Sequence, residues 1–370
     1  MTERFDVAVV GAGMAGASLA AELAPYARVL VLEGEDAPGY HTTGRSAAFW
    51  EQAYGGAAVY PLTMASGRWL AERGLLAPRG ALNLGHEGDK PAVEALVARF
   101  AALGARIELI GPEAIRARVP GLRADWTWAS WEPDCADIDV AAMHQHYLAA
   151  GRRAGSVLRV RARVTAIERE GAGWRVGWPG VGGAAAGEAL AGLVVDAAGA
   201  WADSVAAMAG ARPLGVQPLR RTVAQLRTSP PPPADLPLTL GINGDFYFKP
   251  QGGRLWLSPH DETLDVPRDV APEEEDVARA IWMMEQVVDW SIEAVERKWA
   301  GLRSFAPDRV PVIGFDGAVP GFFWLAGQGG FGIQTAPAAA RLAAQLLLGQ
   351  PRDDMTQGID AAAYAPGRFG

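Results

Sequence analysis

The chain has 370 residues, 34 of them Lys or Arg against 42 Asp or Glu, for a formal charge of −8. That acidic balance, with no basic stripe, argues against nucleic-acid binding, and the length suffices for two lobes around a large core. A single cysteine, Cys135, excludes an internal disulfide and a Cys-based metal site and suits a reducing compartment.

Phe5 to Val10 is a short β-branched run ending at glycine, which predicts a buried parallel strand. It carries Asp6 and runs straight into a glycine turn, unlike a secretory signal, and no apolar run is long enough to span a bilayer. The expected location is therefore the cytoplasm. Met14 to Leu23 has helical spacing of small and apolar residues, and Val29 to Leu32 is a second apolar run that stops at Glu33. Strand, GAGMAG turn, helix, strand and terminal acid in this order predict a βαβ dinucleotide site. Gly11, Gly13 and Gly16, with Met14 and Ala15 between them, would let the backbone close on a pyrophosphate at a helix N-terminus. Glu33 would accept hydrogen bonds from ribose hydroxyls and repel a ribose phosphate, which favours FAD or NAD over NADP.

Helices are expected over Ala57–Glu72, Pro91–Ala102 and Val140–Ala154, whereas Trp126, Trp128 and Trp131 alternate as in a strand. Val157–Ile167 and Gly173–Trp178 read as strands, Gly180–Gly187 as a surface hairpin, and LVVDAAGAWAD (Leu193–Asp203) as a buried strand ending in a small-residue turn. SPPPP at Ser229–Pro233 must be a loop, after which Phe246–Phe248 and Leu255–Leu257 resume strand character. Ala271–Arg297, acidic in its first turn, is the longest helical candidate, and FFWLAGQGGFGIQTAPAAARLAAQLLLG closes with strand, glycine turn and helix. His144 and His146 are two apart on a helix and point away from each other, and His41, His86 and His260 lack ligand-spaced partners, so no metal is expected.

Spacing alone leaves FAD and NAD open. The segment GYHTTGRSAA, just beyond Glu33, resembles the stretch that runs along the flavin in the D-amino-acid oxidase superfamily, most closely in its bacterial D-arginine dehydrogenases. Further along, VVDAAGAWAD resembles the second flavin-contact turn, PLGVQPLRRT the start of the substrate lobe, and FYFKP and LSPHDET its sheet. WAGLRSFAPDRVPVIG resembles the return to the flavin lobe, and GQGGFGIQTAPAAA the turn under the flavin ring.

The resemblance implies an α/β fold: a Rossmann-like FAD-binding lobe over 1–75, 142–214 and 301–370, and an α+β substrate lobe with an antiparallel sheet over 76–141 and 215–300. It implies noncovalent FAD held by the glycine turn and Glu33, by Thr43, Arg45, Ser46, Ala47 and Ala48, by Val164, Ala198 and Gly199, and by Gly330, Gly332, Ile333 and Gln334. Arg303 and Arg221 match carboxylate-binding arginines, although Arg220 is adjacent and could be the inward one. Tyr54 and Tyr247 match tyrosines that line the site, and Gly330 a position whose carbonyl meets the substrate amine. The implied reaction is oxidative deamination of an amino-acid substrate, without a dedicated general base, by hydride transfer to flavin N5. The imine hydrolyses to 2-oxo acid and ammonia, and a quinone, another carrier or oxygen takes the electrons.

Departures from that pattern fall in the substrate pocket. An acid that faces the guanidinium in the D-arginine enzymes is replaced by Ala81, a site histidine by Phe49, and a small hydroxyl residue by Glu51. These changes favour a D-amino acid with a neutral or apolar side chain, with Glu51 either a replacement carboxylate or turned to solvent. A secondary-amine oxidase or dehydrogenase of the same superfamily, a 2-hydroxy-acid dehydrogenase and a non-catalytic flavin-binding subunit are the alternatives.

Overall fold

A computed structural model describes residues 2–180 and 186–370, so most of the expected Gly180–Gly187 hairpin lies outside the described residues. The first strand, Glu3–Val10, pairs in parallel with Val29–Leu32 on one side and with Gly187–Asp196 on the other. Gly187–Asp196 is long enough to take two more partners, antiparallel Gly173–Trp178 along its first half and parallel Phe322–Ala326 along its second. Alternate residues point to opposite faces and both faces are covered. Val10, Leu30, Leu32 and Val194 pack with Trp324 on one, while Val9, Val31 and Val195 pack against Leu19 and Leu23 of the Met14–Leu23 helix on the other. That double burial is why these strands are unbroken apolar runs.

The second sheet is antiparallel except where Leu238–Gly241 runs alongside Ala81–Gly85. Its spine is the pair Gln217–Ser229 and Ser291–Phe305, continued on one edge by Gln328–Gly329 and on the other by Arg254–Ser258 and Tyr247–Gln251. A small third sheet joins Phe49–Trp50, Leu76–Pro78 and Ala136–Ile138. The helices expected near Ala57, Pro91 and Val140 occur as Tyr60–Glu72, Lys90–Ala102 and Val140–Arg153.

Two expected elements differ. Val157–Ile167 is not one strand but two: Val157–Arg159 pairs with Val29–Leu32, and Ala166–Glu170 pairs with Gly173–Trp178. Between them Arg161 adopts φ +55° and the Ala162 amide bonds the Glu33 carbonyl at 2.8 Å, so the chain crosses the end of the sheet. The helix expected over Ala271–Arg297 runs only from Glu274 to Val287, and Ser291 to Arg297 belong to the 15-residue strand Ser291–Phe305. Its Glu, Arg, Lys and Ala are good helix formers, but pairing along Gln217–Ser229 overrides that local preference.

Candidate active site

The ends of the first sheet open into a cavity of about 360 Å³. At its floor Gly11 has φ +101°, and a side-chain carbon there would stand 2.5 Å from the Ala197 carbonyl oxygen. One at Gly16 would stand 1.9 Å from the Gly11 carbonyl oxygen, so Gly16 serves the packing of helix on turn and does not line the cavity. Gly13 precedes the helix, whose Met14 amide donates to Thr43 Oγ1 at 2.9 Å. Glu33 accepts the Ala12 amide at 2.9 Å and the Glu35 amide at 3.0 Å. His144 braces this turn: its Nε2 donates to the Ala12 carbonyl at 2.9 Å, and burial pushes its pKa down.

Gly11, Gly13, Met14, Ala15, Glu33 and Thr43 line the cavity together, and Val164, Ala198 and Gly199 form a further wall. Gly330, in the turn before the Gly332–Leu348 helix, and Gly332 and Ile333 at its start close the cavity. Arg45 also lines it, but its guanidinium is tethered to Asp269 at 2.6 Å and to the Ala300 carbonyl at 3.1 Å. Trp201 and Gln328 border the same space and were not singled out in the sequence, although both stand inside motifs that were. Gln328 Nε2 is buried without a hydrogen-bond partner among the described residues.

A smaller chamber of about 10 Å³ adjoins the first and shares Ser46, Arg303, Gly330 and Ile333 with it. Phe49, Tyr54, Leu240, Tyr247 and His260, with Ala48 and Gln334, complete its lining. Phe49 packs on Tyr54 at 5.3 Å and edge-on to Tyr247 at 6.3 Å between ring centres. Gln334 fastens the Tyr54 loop to the last helix, accepting the Glu51 amide at 3.1 Å and donating to Thr63 Oγ1 at 2.9 Å. Ala47 and Ala81 reach neither chamber: both are buried with Phe49, Cys135 and Tyr247 in the apolar cluster behind it.

Arg221 and Arg303 come from adjacent strands, with Leu219 opposite Arg303 and Arg221 opposite Gly301. Arg221 is held by the Asp261 carbonyl at 2.7 Å and by Glu262 at 3.0 Å, leaving its Nη1 buried without a partner among the described residues. Arg303 Nη1 and the Tyr247 hydroxyl are likewise buried and unpartnered among those residues. Burial, and then the charge of Arg303, lower the Arg221 pKa to about 10, so the site holds two crowded cations at neutral pH. Arg220 points the other way and pairs with Asp276 at 3.0 Å and with Glu273.

Glu51 is neither at the chamber wall nor in solvent. It is buried beside Glu132, whose oxygens accept the Gln52 amide at 2.6 Å and the Ala53 amide at 3.3 Å, while Glu51 Oε2 has no partner among the described residues. Burial raises the Glu51 pKa to about 7, and burial together with the Glu51 charge raises that of Glu132 to about 8. The two acids are some eighty residues apart in the chain and meet only in the fold.

A sequence profile of the FAD dependent oxidoreductase family matches residues 6–346, and the chain belongs to this family. Glycine oxidase from Geobacillus kaustophilus is similar in structure over 98% of each chain, with a TM-score of 0.84 and 23% identity. L-proline dehydrogenase from P. horikoshii, at 22% identity, covers all of this chain and 98% of its own with a TM-score of 0.85. Among curated proteins, FAD-dependent oxidoreductase domain-containing protein 1 of Mus musculus is 27% identical over 173 residues, 42% of this chain and 35% of that protein. The chain thus aligns with about a third of the length of that relative.

FAD is the cofactor of the family, and the larger cavity suits it. Glycines that admit no side chain, a helix N-terminus aimed into the space and the Glu33 carboxylate at its rim match a pyrophosphate and a ribose. Among the described residues no group of three His, Cys, Asp or Glu is arranged to hold a metal, and no helix is long and apolar enough to cross a membrane.

Proposed function

We propose that the protein oxidises the α-carbon–nitrogen bond of a D-amino acid with a neutral side chain. The observation that carries this reading is a trio of buried groups without partners among the described residues: Arg221 Nη1 from the larger cavity, Arg303 Nη1 shared by both cavities and the Tyr247 hydroxyl from the smaller chamber. Buried donors without partners are costly, and a carboxylate would satisfy all three while matching the two positive charges. Arg221, Arg303 and Tyr247 would thereby fix the substrate in one orientation. Gly330 leaves room for the Tyr54 hydroxyl beside Arg303, and its carbonyl would accept from the substrate amine. Phe49 and Tyr54 would exclude water, and the buried Ala81 supplies no counter-charge for a cationic side chain.

FAD, when bound in the larger cavity, supplies the acceptor for the hydride that leaves the α-carbon. Water then converts the imine to 2-oxo acid and ammonia, and an external acceptor takes the electrons. Anaerobic flavin bleaching across D- and L-amino acids, N-methyl and cyclic amino acids and 2-hydroxy acids, with product analysis and then air, tests the reading. Bleaching by neutral D-amino acids with release of 2-oxo acid and ammonia is expected. Bleaching by secondary amines alone, by D-Arg and D-Lys alone, or by nothing at all overturns it.

A further inference from the structure

His260 lines the smaller chamber with Tyr247 and Arg303, its ring edge-on to Tyr247 at 5.7 Å between centres. Its backbone is in the left-handed region at φ +51°, uncommon for a residue with a side chain, and its amide donates to Ser258 Oγ at 3.1 Å. That conformation brings Nδ1 to 2.8 Å from the Gly244 carbonyl oxygen. A carbonyl only accepts, so Nδ1 carries the proton and Nε2 is left with a lone pair. Nε2 has no hydrogen-bond partner among the described residues.

The charged groups around the ring are Arg221 and Arg303 on the two central strands and Arg309 beyond them. Burial and these three cations push the His260 pKa down to about 3, so the ring stays neutral at ordinary pH. The chamber therefore presents donors from Arg303, Tyr54 and Tyr247 and an imidazole acceptor from His260.

We propose that His260 is a specificity-determining residue whose Nε2 accepts a hydrogen bond from an uncharged donor on the substrate side chain, a hydroxyl or a carboxamide. Cationic side chains are repelled by Arg221 and Arg303. An anionic one would meet the imidazole lone pair, and a purely apolar one would bury it without a partner. The inference rests on the carboxylate site proposed above and narrows its neutral substrate to one with a donor.

Two isosteric pairs test it: 3-hydroxypropanoate against butanoate for binding, followed by perturbation of flavin absorbance, and D-serine against D-2-aminobutyrate for turnover. The FAD-loaded wild type is expected to prefer the hydroxyl member by at least about 10-fold in both Kd and kcat/KM, with the turnover difference in KM. His260→Phe is expected to erase the preference and His260→Gln to restore part of it. Equal treatment of the pairs by the wild type, which requires no variant to fold, overturns the proposal, as does a preference that persists in His260→Phe. A hydroxyl preference in binding with no amino acid oxidised would sink the oxidation reading and leave the acceptor standing. Oxidation without the preference would sink the acceptor alone.

Discussion

Arg220 and Arg221 are neighbours in sequence and opposites in structure: Arg220 turns to the acidic start of the Glu274–Val287 helix, Arg221 to the cavity beside Arg303. Strand geometry forces the division, because successive side chains leave a sheet on opposite faces. Arg221→Ala is expected to lower kcat/KM for the amino-acid substrate at least about 100-fold. Arg220→Ala is expected to leave turnover per folded molecule near wild type but to cost about 2 kcal/mol, since it removes the closer of two guanidinium partners of the buried Asp276 and leaves Arg279 at 3.3 Å. Steady-state kinetics and denaturant unfolding of both variants check the division, and equal kinetic losses would refute it.

A methyl group at Gly330 would stand 2.1 Å from the Tyr54 hydroxyl and 3.1 Å from Arg303 Cδ. Gly330→Ala should therefore push both side chains from their places, cutting kcat/KM by about 100-fold while the flavin spectrum and melting temperature barely change. Retained activity would mean that Tyr54 moves aside without consequence.

The buried acids Glu51 and Glu132 make stability depend on pH. Unfolded, both titrate near 4.5; folded, they hold protons up to about 7 and 8. The native state thus binds more protons across this window, and stability present below about pH 4.5 is lost as pH rises through 7 to 8. Glu51→Gln removes one titration and the charge that raises Glu132, so the fall in melting temperature between pH 5 and pH 8 should become shallower. An unchanged slope in a thermal-shift series would contradict the pairing.

Gly16→Ala places a carbon 1.9 Å from the Gly11 carbonyl oxygen, whereas at Gly13 the nearest atom is Thr43 Oγ1 at 3.2 Å. The first substitution should abolish FAD retention through purification, and the second should weaken it without loss of fold. The ratio of flavin to protein absorbance after gel filtration reads the difference.

Much of the cofactor lobe could be read from the sequence because its signals are local. The buried strand, glycine turn, helix and acid at Glu33 lie within about thirty residues and follow backbone sterics and double-sided burial. The rest depended on partners far along the chain. Residues 291–297 look helical alone and become a strand only beside Gln217–Ser229. Glu51 acquires its character from Glu132, some eighty residues away, and His260 from a carbonyl in a neighbouring hairpin and two arginines on other strands. Arg221 could be told from Arg220 only once the strand had a face.

The ladder between Gln217–Ser229 and Ser291–Phe305 runs without interruption through the nine pairs from Gln217–Phe305 to Gln225–Arg297, and its irregularities fall beyond them. Each irregularity accommodates one extra residue on the Ser291–Phe305 strand, Glu296 at the first and Glu293 at the second. Changes of chain length are thus absorbed at the rim, while a slip within the nine pairs would swing Arg303 to the wrong face. Such a scaffold can accept insertions and deletions in its outer half during divergence and still deliver the same pair of cations to the same place.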